Sequence, residues 1–290
     1  MTSKFITGGC SFTFGHELSD DQEGKFPSQK SWGHGLYTHL RHTENSEFLC
    51  VASPGAGNPS IARRVFNAVA NGGEIGSVCV MWSFLSRYDW AMPRHKLLEQ
   101  TRWASISPWD TDAGNEEAFR EMQGSEVQQQ QWITRENQFK ETGVKDLAEA
   151  IYKYGANEYH ETYLSWKSII WLQNLLEKKK IPFMFTLADN SLFYRDTTPH
   201  SEQDSFLKAL YNEIDFSKWF SFGERMMGFN QWALLNDYER GTTHPLDKAH
   251  EDAVQLMLPT FEKLIGGKYV HLDKKSDQQD QARNQVQEKT

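Results

Sequence analysis

Short apolar runs alternate with amphipathic stretches over the first third of the chain. Three runs rich in β-branched and aromatic residues have the length of buried strands, at residues 4–7, 47–53 and 77–84. Two stretches between them have the spacing of helices with one apolar face, at residues 31–41 and 59–70. This β-α-β-α-β order predicts an α/β protein, in which a central parallel sheet carries helices on its faces.

The pattern changes after the third strand. Residues 88–158 are polar, rich in Gln and Glu and dotted with tryptophan, and they predict a partly helical insertion that caps one end of the sheet. A helix is predicted at 159–180, a strand at 181–189 and, after loops and short helices, a last helix at 244–265. Pro259 is expected to kink or end that helix, because proline lacks the backbone N–H that a helix uses.

These elements predict one large domain. A chain of 290 residues is long enough to bury a sizeable core. We expect the domain to cover residues 1–273, with the insertion at 88–158 and a central sheet of about five strands, a typical size. Residues 274–290 form a polar tail with almost no apolar side chains, which is expected to be disordered.

Charge and cysteine content limit the partners of the chain. With 31 basic and 39 acidic residues its net charge is −8, which is unfavourable for binding a nucleic-acid backbone. No apolar stretch approaches the roughly 20 residues that span a bilayer, and the N-terminus lacks a signal-peptide pattern, so no membrane partner is expected. Cys10, Cys50 and Cys79 have no regular spacing and predict reduced, buried thiols in a protein made in the cytoplasm.

Candidate chemistry lies where strands lead into helices, because parallel sheets bind ligands beyond the carboxyl ends of their strands. In the loop "GGCSFTFG", Ser11 lies on a glycine-flanked turn, where it is either a nucleophile or a helix cap. His244 precedes the last helix and can supply a base, whereas His250, six residues later, is expected to be structural. His16 and Glu17 either line the pocket or face solvent; the sequence does not decide.

Motifs of other chemistries are missing. The first loop has neither the G-x-G-x-x-G spacing of a dinucleotide site nor the G-K-[ST] of a P-loop. The two histidines of "HPLDKAH" are six residues apart, which is poor spacing for a zinc site on one helical face. We therefore predict no metal and no organic cofactor.

The blocks "GGCSFTFG", "SPGAGN", "WSFLSR" and "HPLDKAH" resemble the SGNH/GDSL hydrolase superfamily, specifically divergent members with a "GCSFT" first block. The resemblance covers residues 4–87 and 160–265 but not the insertion. It implies a flavodoxin-like α/β/α sandwich and hydrolysis of esters, often acyl or acetyl groups on sugars or lipids. It also implies that Ser11 is the nucleophile and an oxyanion donor through its own N–H, that Gly55 is a second donor, and that His244 is the general base.

The third block departs from the family's pattern. It has no Asn whose side chain could donate to the oxyanion, and losing one such donor typically costs on the order of 10²–10³ in rate. Asn58 and Ser83 are the candidates to replace it, and Trp82 and Arg87 are further candidates to line the pocket. Arg87 is expected to form a structural ion pair with Asp89.

The acid that orients the histidine is a second departure. In the family it usually stands two or three residues before the histidine, and no acid occupies those positions here. Asp237, Glu239 or Asp247 would have to take this role, although none has the family spacing. An imidazole without such a carboxylate still acts as a base, though less well.

Two functions from different classes stay open. The first is a serine-dependent ester hydrolase, acting on a small-molecule ester or on an acetylated carbohydrate that could stack on tryptophans of the insertion. The second is a catalytically weak or inactive component of a virus particle or surface assembly, in contact with other subunits, since such "GCSFT" sequences are similar to ones carried by bacteriophages of marine bacteria. The hydrolase predicts the Ser11 hydroxyl within about 3.5 Å of a His244 ring nitrogen. The structural component predicts a pocket filled by side chains such as Phe84 or Trp82.

Overall fold

A parallel sheet forms the centre of the molecule. The computed structural model of the protein describes residues 3–40, 46–92, 103–121, 126–193 and 205–265. The strands are β1 (Ser3–Gly8), β2 (Ser46–Cys50), β3 (Ile75–Trp82), β4 (Tyr88–Ala91), β5 (Trp103–Ile106) and β6 (Phe183–Leu187). Four of them pair in parallel in the order β2-β1-β3-β6, while β4 and β5 form a separate antiparallel pair. The predicted α/β class with a parallel sheet is confirmed.

The described part of the sheet has four strands rather than about five. At the open edge of β6, Phe185 forms a single parallel bridge with Trp219, and its carbonyl accepts the N–H of Phe220 at 2.8 Å. A 3₁₀ turn at Phe216–Lys218 comes immediately before this bridge, and a series of turns follows it. Too few residues stay extended at this edge to build a fifth strand.

Helices cover both faces of the sheet. They are α1 (Ser11–Phe14), α2 (Trp32–Leu40), α3 (Asn58–Asn71), α4 (Asp112–Glu121), α5 (Glu126–Thr142), α6 (Val144–Ala150), α7 (Glu158–Lys178), α8 (Ser205–Asn212), α9 (Phe229–Leu235) and α10 (Asp247–Leu264). Successive residues of a strand point to opposite faces, and in β1 Thr7 contacts Gly33 of α2 whereas Gly8 contacts Val65 of α3. Helix α10 packs on α2 and helix α7 on α3, which completes the three layers.

Large apolar side chains fill the space between these layers. Trp82, Phe185 and Phe261 are among the largest side chains that are almost completely buried. Burying one such side chain contributes roughly 1.5–3 kcal/mol relative to leaving it exposed. This core holds the carboxyl ends of β1 and β3 in register, with Gly8 opposite Val80, and so determines where the loops after them meet.

Helix α10 continues past Pro259, so the prediction that this proline ends the helix is wrong. The helix runs on to Leu264, with Met257 and Phe261 buried on its inner face. Proline removes one hydrogen bond from a helix. Because Pro259 lies on the exposed side, the buried contacts on either side of it are kept.

The insertion at 88–158 is partly helical, as predicted, and has a small core of its own. It contains the β4–β5 pair, helices α4 to α6, a 3₁₀ turn at Pro108–Asp110 and a π turn at Ile151–Gly155. Its buried apolar side chains are Tyr88, Met92, Ala104, Ile106, Val144 and Ala148. The segment between β5 and α4 reaches back over the sheet, which brings the insertion to the site described below.

Two further expectations concern the chain as a whole. Cys10, Cys50 and Cys79 are free thiols; Cys10 and Cys79 are buried, as predicted, whereas Cys50 is half-buried. Among the described ranges, no helix combines the length and the apolar character needed to cross a bilayer. The tail at 274–290, predicted to be disordered, lies outside the described residues.

Candidate active site

The turn after β1 explains the glycine-rich sequence around Ser11. A side chain at Gly9 would come within 2.0 Å of the Thr13 hydroxyl, so only glycine allows the chain to turn so tightly into α1. Gly15, with a φ of 81°, ends this helix after one turn. Cys10 occupies the cap position, and Ser11 is the first helical residue. The Ser11 hydroxyl therefore does not cap the helix.

Ser11 and His244 meet across the carboxyl end of the sheet. The Oγ of Ser11 lies 2.7 Å from Nε2 of His244, a hydrogen bond between residues 233 positions apart in the sequence. A tight turn before α10 presents the histidine: the N–H of Gly241 donates to the His244 carbonyl at 2.9 Å. The ring packs edge-on against Phe12, with 4.7 Å between ring centroids. The structure thus brings together the two residues that the sequence singled out as nucleophile and base.

Glu17 stands behind the histidine. Its Oε2 is 3.2 Å from Nδ1 of His244, and the same oxygen accepts the backbone N–H groups of Thr243 and His244 at 3.0 and 2.9 Å. The Thr243 hydroxyl lies 2.8 Å from Nδ1 and 3.5 Å from the other Glu17 oxygen. The Nδ1–H is therefore shared between Thr243 and Glu17, which leaves Nε2 free to accept the proton of Ser11.

The acids expected from the sequence lie elsewhere. Asp247 accepts hydrogen bonds from the Ser19 backbone and hydroxyl and pairs with Lys30 at 2.6 Å, so it braces the start of α10. Asp237 is exposed in a turn with a φ of 55°. Glu239, also exposed, contributes its backbone carbonyl to Leu246. The hypothesis that Asp237 or Asp247 orients His244 is wrong, because Glu17 occupies the position beside Nδ1.

Glu17 reaches this position through an unusual backbone conformation. Its φ is 70°, in the left-handed region that residues with a side chain rarely adopt, and the preceding glycine turn lets the chain double back beneath His244. Gln128 of α5 donates to the second carboxylate oxygen at 2.7 Å, so the insertion also holds this side chain. The sequence feature that could have pointed to Glu17 as the orienting acid is its place on the same loop as Ser11.

Burial and hydrogen bonds set the protonation states of the pair. Burial opposes ionisation of Glu17, but the hydrogen bonds from His244 and Thr243 outweigh it and lower the pKa of this carboxyl from 4.5 to about 2. Burial lowers the pKa of His244 below 6.5, against the opposing effect of Glu17. At neutral pH the site therefore holds a carboxylate and a neutral imidazole, which is the state a general base needs.

Two backbone N–H groups are available for an oxyanion. Ser11 and Gly55 both line the cavity in front of the histidine, and within the described ranges neither N–H donates to a protein acceptor. Gly55 has a φ of 75° and open space around its Cα, so its peptide can turn towards a ligand. That Ser11 and Gly55 are the oxyanion donors stays a prediction.

Three of the expected pocket residues are buried structural groups instead. Asn58 is completely buried, and its side chain donates to the Ser83 carbonyl at 3.1 Å and accepts the Ser83 N–H at 2.7 Å. Its amide also donates to the Ser165 hydroxyl at 3.0 Å. Trp82 packs edge-on against Phe185 in the core. Because their polar groups are satisfied or buried, Asn58, Ser83 and Trp82 do not line the cavity.

Arg87 does line the cavity, but the prediction that it forms an ion pair with Asp89 is wrong. Asp89 pairs with Arg63, whose Nε and Nη2 lie 2.6 and 2.9 Å from its two oxygens. Arg87 instead donates to the Ser83 hydroxyl at 3.0 Å and lies over the ring of Phe84. Arg87 lies in the turn before β4, where its N–H donates to the Leu85 carbonyl at 2.8 Å, whereas Asp89 lies within the strand.

The cavity has a volume of about 500 Å³. It is lined by Ser11, Phe12, Gly55, Phe84, Ser86, Arg87, Ser107, Pro108, Trp109, Asn230, Arg240, Thr242, Thr243 and His244. Residues 107–109 come from the insertion, so the cap forms one wall, and Asn230 and Arg240 come from the segment that the sequence predicted only as loops and short helices. The sequence pointed to tryptophans of the insertion, one of which is Trp109, but nothing in the local pattern pointed to Asn230 or Arg240.

The remaining candidates have structural surroundings. His250 is almost completely buried, and its Nδ1 accepts the Trp32 N–H at 3.1 Å, as expected of a structural histidine. Trp103 is partly exposed beneath the guanidinium of Arg63, and Trp132 packs edge-on against Trp109. In the described part of the chain, no cluster of three or more His, Cys, Asp and Glu residues could hold a metal ion.

Comparisons with known proteins find similarity among solved structures. No family model and no curated protein matches the chain. The esterase EstA from Pseudoalteromonas sp. is 9% identical, with 91% of this chain and 100% of that chain covered and a TM-score of 0.44. A member of the lipolytic protein G-D-S-L family from Veillonella parvula is 12% identical, with 92% and 100% covered and a TM-score of 0.40. The acetylxylan esterase Axe2 from Geobacillus stearothermophilus is 10% identical, with 92% and 96% covered and a TM-score of 0.40.

These solved structures have TM-scores of 0.40 to 0.44 to this chain. Their identities to this chain, 9 to 12%, make the likeness remote. The chemistry proposed for this chain therefore rests on its own side chains.

Proposed function

We propose that this protein is a serine-dependent ester hydrolase. The observation that carries the proposal is the array of Ser11, His244 and Glu17, hydrogen-bonded in sequence and open to a cavity of about 500 Å³. A nucleophile beside a base that is itself oriented by a third group is the arrangement of acyl-transfer enzymes. The neutral state of His244 supports the same role.

The geometry supports a two-stage reaction. Ser11 Oγ attacks the ester carbonyl carbon while its proton passes to Nε2 of His244, and the N–H groups of Ser11 and Gly55 hold the oxyanion. The tetrahedral intermediate collapses, His244 returns the proton to the departing alcohol, and an acyl-serine remains. A water molecule then attacks the acyl carbon while His244 takes one of its protons, and His244 returns that proton to Ser11 Oγ as the carboxylic acid leaves. Glu17 stabilises the imidazolium that forms in both stages.

The cavity, with a volume of about 500 Å³, leaves room for an ester larger than a simple acetate. Trp109 from the insertion lines it, and an aromatic face is suited to the C–H surface of a sugar ring. An acetyl group on a carbohydrate is therefore our proposed substrate class. By contrast, a purely structural role predicted a pocket filled by Phe84 or Trp82; Phe84 lines an open cavity and Trp82 lies in the core.

Hydrolysis of p-nitrophenyl acetate tests the proposal. We expect measurable turnover by the wild type and its loss in Ser11→Ala, with Ser217→Ala, an exposed serine outside the site, as the matched control. A fluorophosphonate should label the wild type once, and peptide mass analysis should place the label on Ser11. Equal rates for wild type and Ser11→Ala, together with no label on Ser11, would contradict the proposal.

A further inference from the structure

We propose that Arg87 and Arg240 form an anion-binding subsite next to Ser11, so that the ester substrate carries a carboxylate or a phosphate group. This inference rests on the proposed function and specifies its substrate class. Both arginines line the same cavity as Ser11 and His244. They reach it from two different segments, the loop after β3 and the turn before α10.

The cavity contains positive charge without a balancing acid. The described residues that line it include two arginines and no aspartate or glutamate. Glu17, behind His244, is engaged by the histidine and by two backbone N–H groups. An anionic group entering this cavity would therefore meet two cations and no fixed negative charge on the wall.

Neither arginine forms an ion pair with any residue in the described ranges. Other arginines of the protein do: Arg63 pairs with Asp89 at 2.6 Å, and Arg135 pairs with Asp110 at 3.0 Å. In the part of the chain that the structure describes, the hydrogen-bond partners of Arg87 and Arg240 are all neutral. Burial lowers the pKa of the Arg240 guanidinium and outweighs the charge of Glu17, which favours its ionised form. Partly buried guanidinium groups without an ion-pair partner among the described residues are costly for a folded protein, and a bound anion would offset that cost.

The hydrogen bonds to neutral groups hold each guanidinium in place and leave some of its N–H groups available to a ligand. Among the described residues Arg87 donates through Nη1 alone, to the Ser83 hydroxyl at 3.0 Å and the Ala56 carbonyl at 3.4 Å, and its Cζ lies 4.8 Å from the centre of the Phe84 ring. A guanidinium has five N–H groups, so Nε and Nη2 remain for a ligand. This is the fork that binds a carboxylate or a phosphate with two parallel hydrogen bonds.

Arg240 is fixed in the same way. Its Nη1 donates to the Asn230 amide oxygen at 3.0 Å and its Nη2 to the Thr243 carbonyl at 2.6 Å. A backbone bridge between Arg240 and Pro245 closes the turn that presents His244. The position of this cation is therefore tied directly to the position of the base, and an anion bound to it would be held near the reacting serine.

Two matched pairs of esters test the subsite, because the charge can lie on either side of the ester bond. On the alcohol side the pair is 4-acetoxybenzoate and neutral 4-acetoxybenzamide. On the acyl side it is mono-4-nitrophenyl adipate and its methyl ester. Binding of each is measured by calorimetry on Ser11→Ala, which keeps the cavity but does not turn the ester over.

We expect the charged member of at least one pair to bind at least 10-fold more tightly than the neutral member. Arg87→Gln and Arg240→Gln should each reduce this advantage by about 10-fold to 100-fold, the usual effect of losing a hydrogen bond to a charged group. Arg225→Gln, which removes an equal charge from an exposed position outside the cavity, should leave the advantage unchanged. Arg87→Lys and Arg240→Lys keep the charge and should retain part of it.

Three results would overturn the inference: equal binding of both members in both pairs, an equal loss for charged and neutral esters in the arginine variants, or an equal effect of Arg225→Gln. An equal loss would mean that the arginines brace their loops or act on the oxyanion. If a glutamine variant does not fold, the lysine variants and added salt test the same point, because salt screens only the charged ester.

Turnover by the wild type separates the two proposals. Charge-dependent binding without turnover of any of the four esters would keep the subsite and reject the hydrolase. Turnover that depends on Ser11, with equal binding of the charged and neutral esters in both pairs, would support the hydrolase and reject the subsite.

Discussion

Replacing Glu17 by glutamine tests the assignment of the orienting acid. The substitution keeps the size of the side chain but removes the charge that faces Nδ1 of His244 at 3.2 Å. A hydrogen bond to a charged group contributes about 1.5–3 kcal/mol, and each 1.36 kcal/mol of lost transition-state stabilisation lowers the rate tenfold. We therefore expect kcat/KM to fall by about 10-fold to 100-fold.

The loss should stay below the roughly 10⁴-fold seen where such a change puts the histidine into the wrong tautomer. The reason is Thr243, whose hydroxyl lies 2.8 Å from Nδ1 and can still accept its proton. Removing both supports in Glu17→Gln/Thr243→Val should therefore cost more than the sum of the single effects, expressed as free energies.

The assay is kcat/KM for p-nitrophenyl acetate, with Ser11→Ala as the background. Asp247→Asn is the matched control, because Asp247 pairs with Lys30 and Ser19 rather than with the histidine. Thermal unfolding of each variant shows whether lost activity reflects lost structure, since Glu17 also accepts two backbone N–H groups. Full activity of Glu17→Gln, or an equal loss in Asp247→Asn, would refute the reasoning.

Three further predictions concern pH and stability. Because burial lowers the pKa of His244 below 6.5, kcat/KM should rise with pH through a midpoint below 6.5 and then level off; a midpoint above 6.5 would contradict this. Burial lowers the pKa of His250 to about 3. Below pH 6.5 the unfolded chain therefore binds a proton at His250 that the folded protein does not bind, so the free energy of unfolding decreases as the pH falls. From pH 6.5 to 4.5 the decrease is about 2–3 kcal/mol. Denaturant titrations should show that the free energy of unfolding depends less on pH in His250→Gln than in the wild type, and an equal dependence would contradict this prediction. Pro259→Ala restores a helical N–H at an exposed position of α10 and should raise the free energy of unfolding by about 1–3 kcal/mol; a decrease would show that proline is required there.

The fold and the nucleophile–base pair were readable from local patterns. Apolar runs of strand length and the helices between them indicated a parallel sheet. In such a sheet the loops after the strands meet at one edge, so Ser11 after β1 and His244 before α10 could be expected at a common site. The glycines around Ser11 marked the tight turn that exposes it, as the close approach of Gly9 to Thr13 shows.

The partners of those residues were decided by the tertiary structure. A spacing rule looked for the acid near His244 in the sequence, whereas Glu17 reaches it from 227 positions away through a φ of 70°. Likewise, Arg87 and Asp89 are neighbours in the sequence, yet Asp89 pairs with Arg63 and Arg87 turns to the cavity.

The sequence by itself thus determined the order of the strands and helices that build the central sheet and its two faces, because hydrophobic periodicity and turn residues act over a few positions. Which side chains face one another across the cavity depends on backbone torsions at single turns and on packing between distant segments. A change of one torsion redirects a side chain by several ångströms without altering any local pattern. For that reason the charge of the cavity and the acid behind the histidine became visible only in the folded structure.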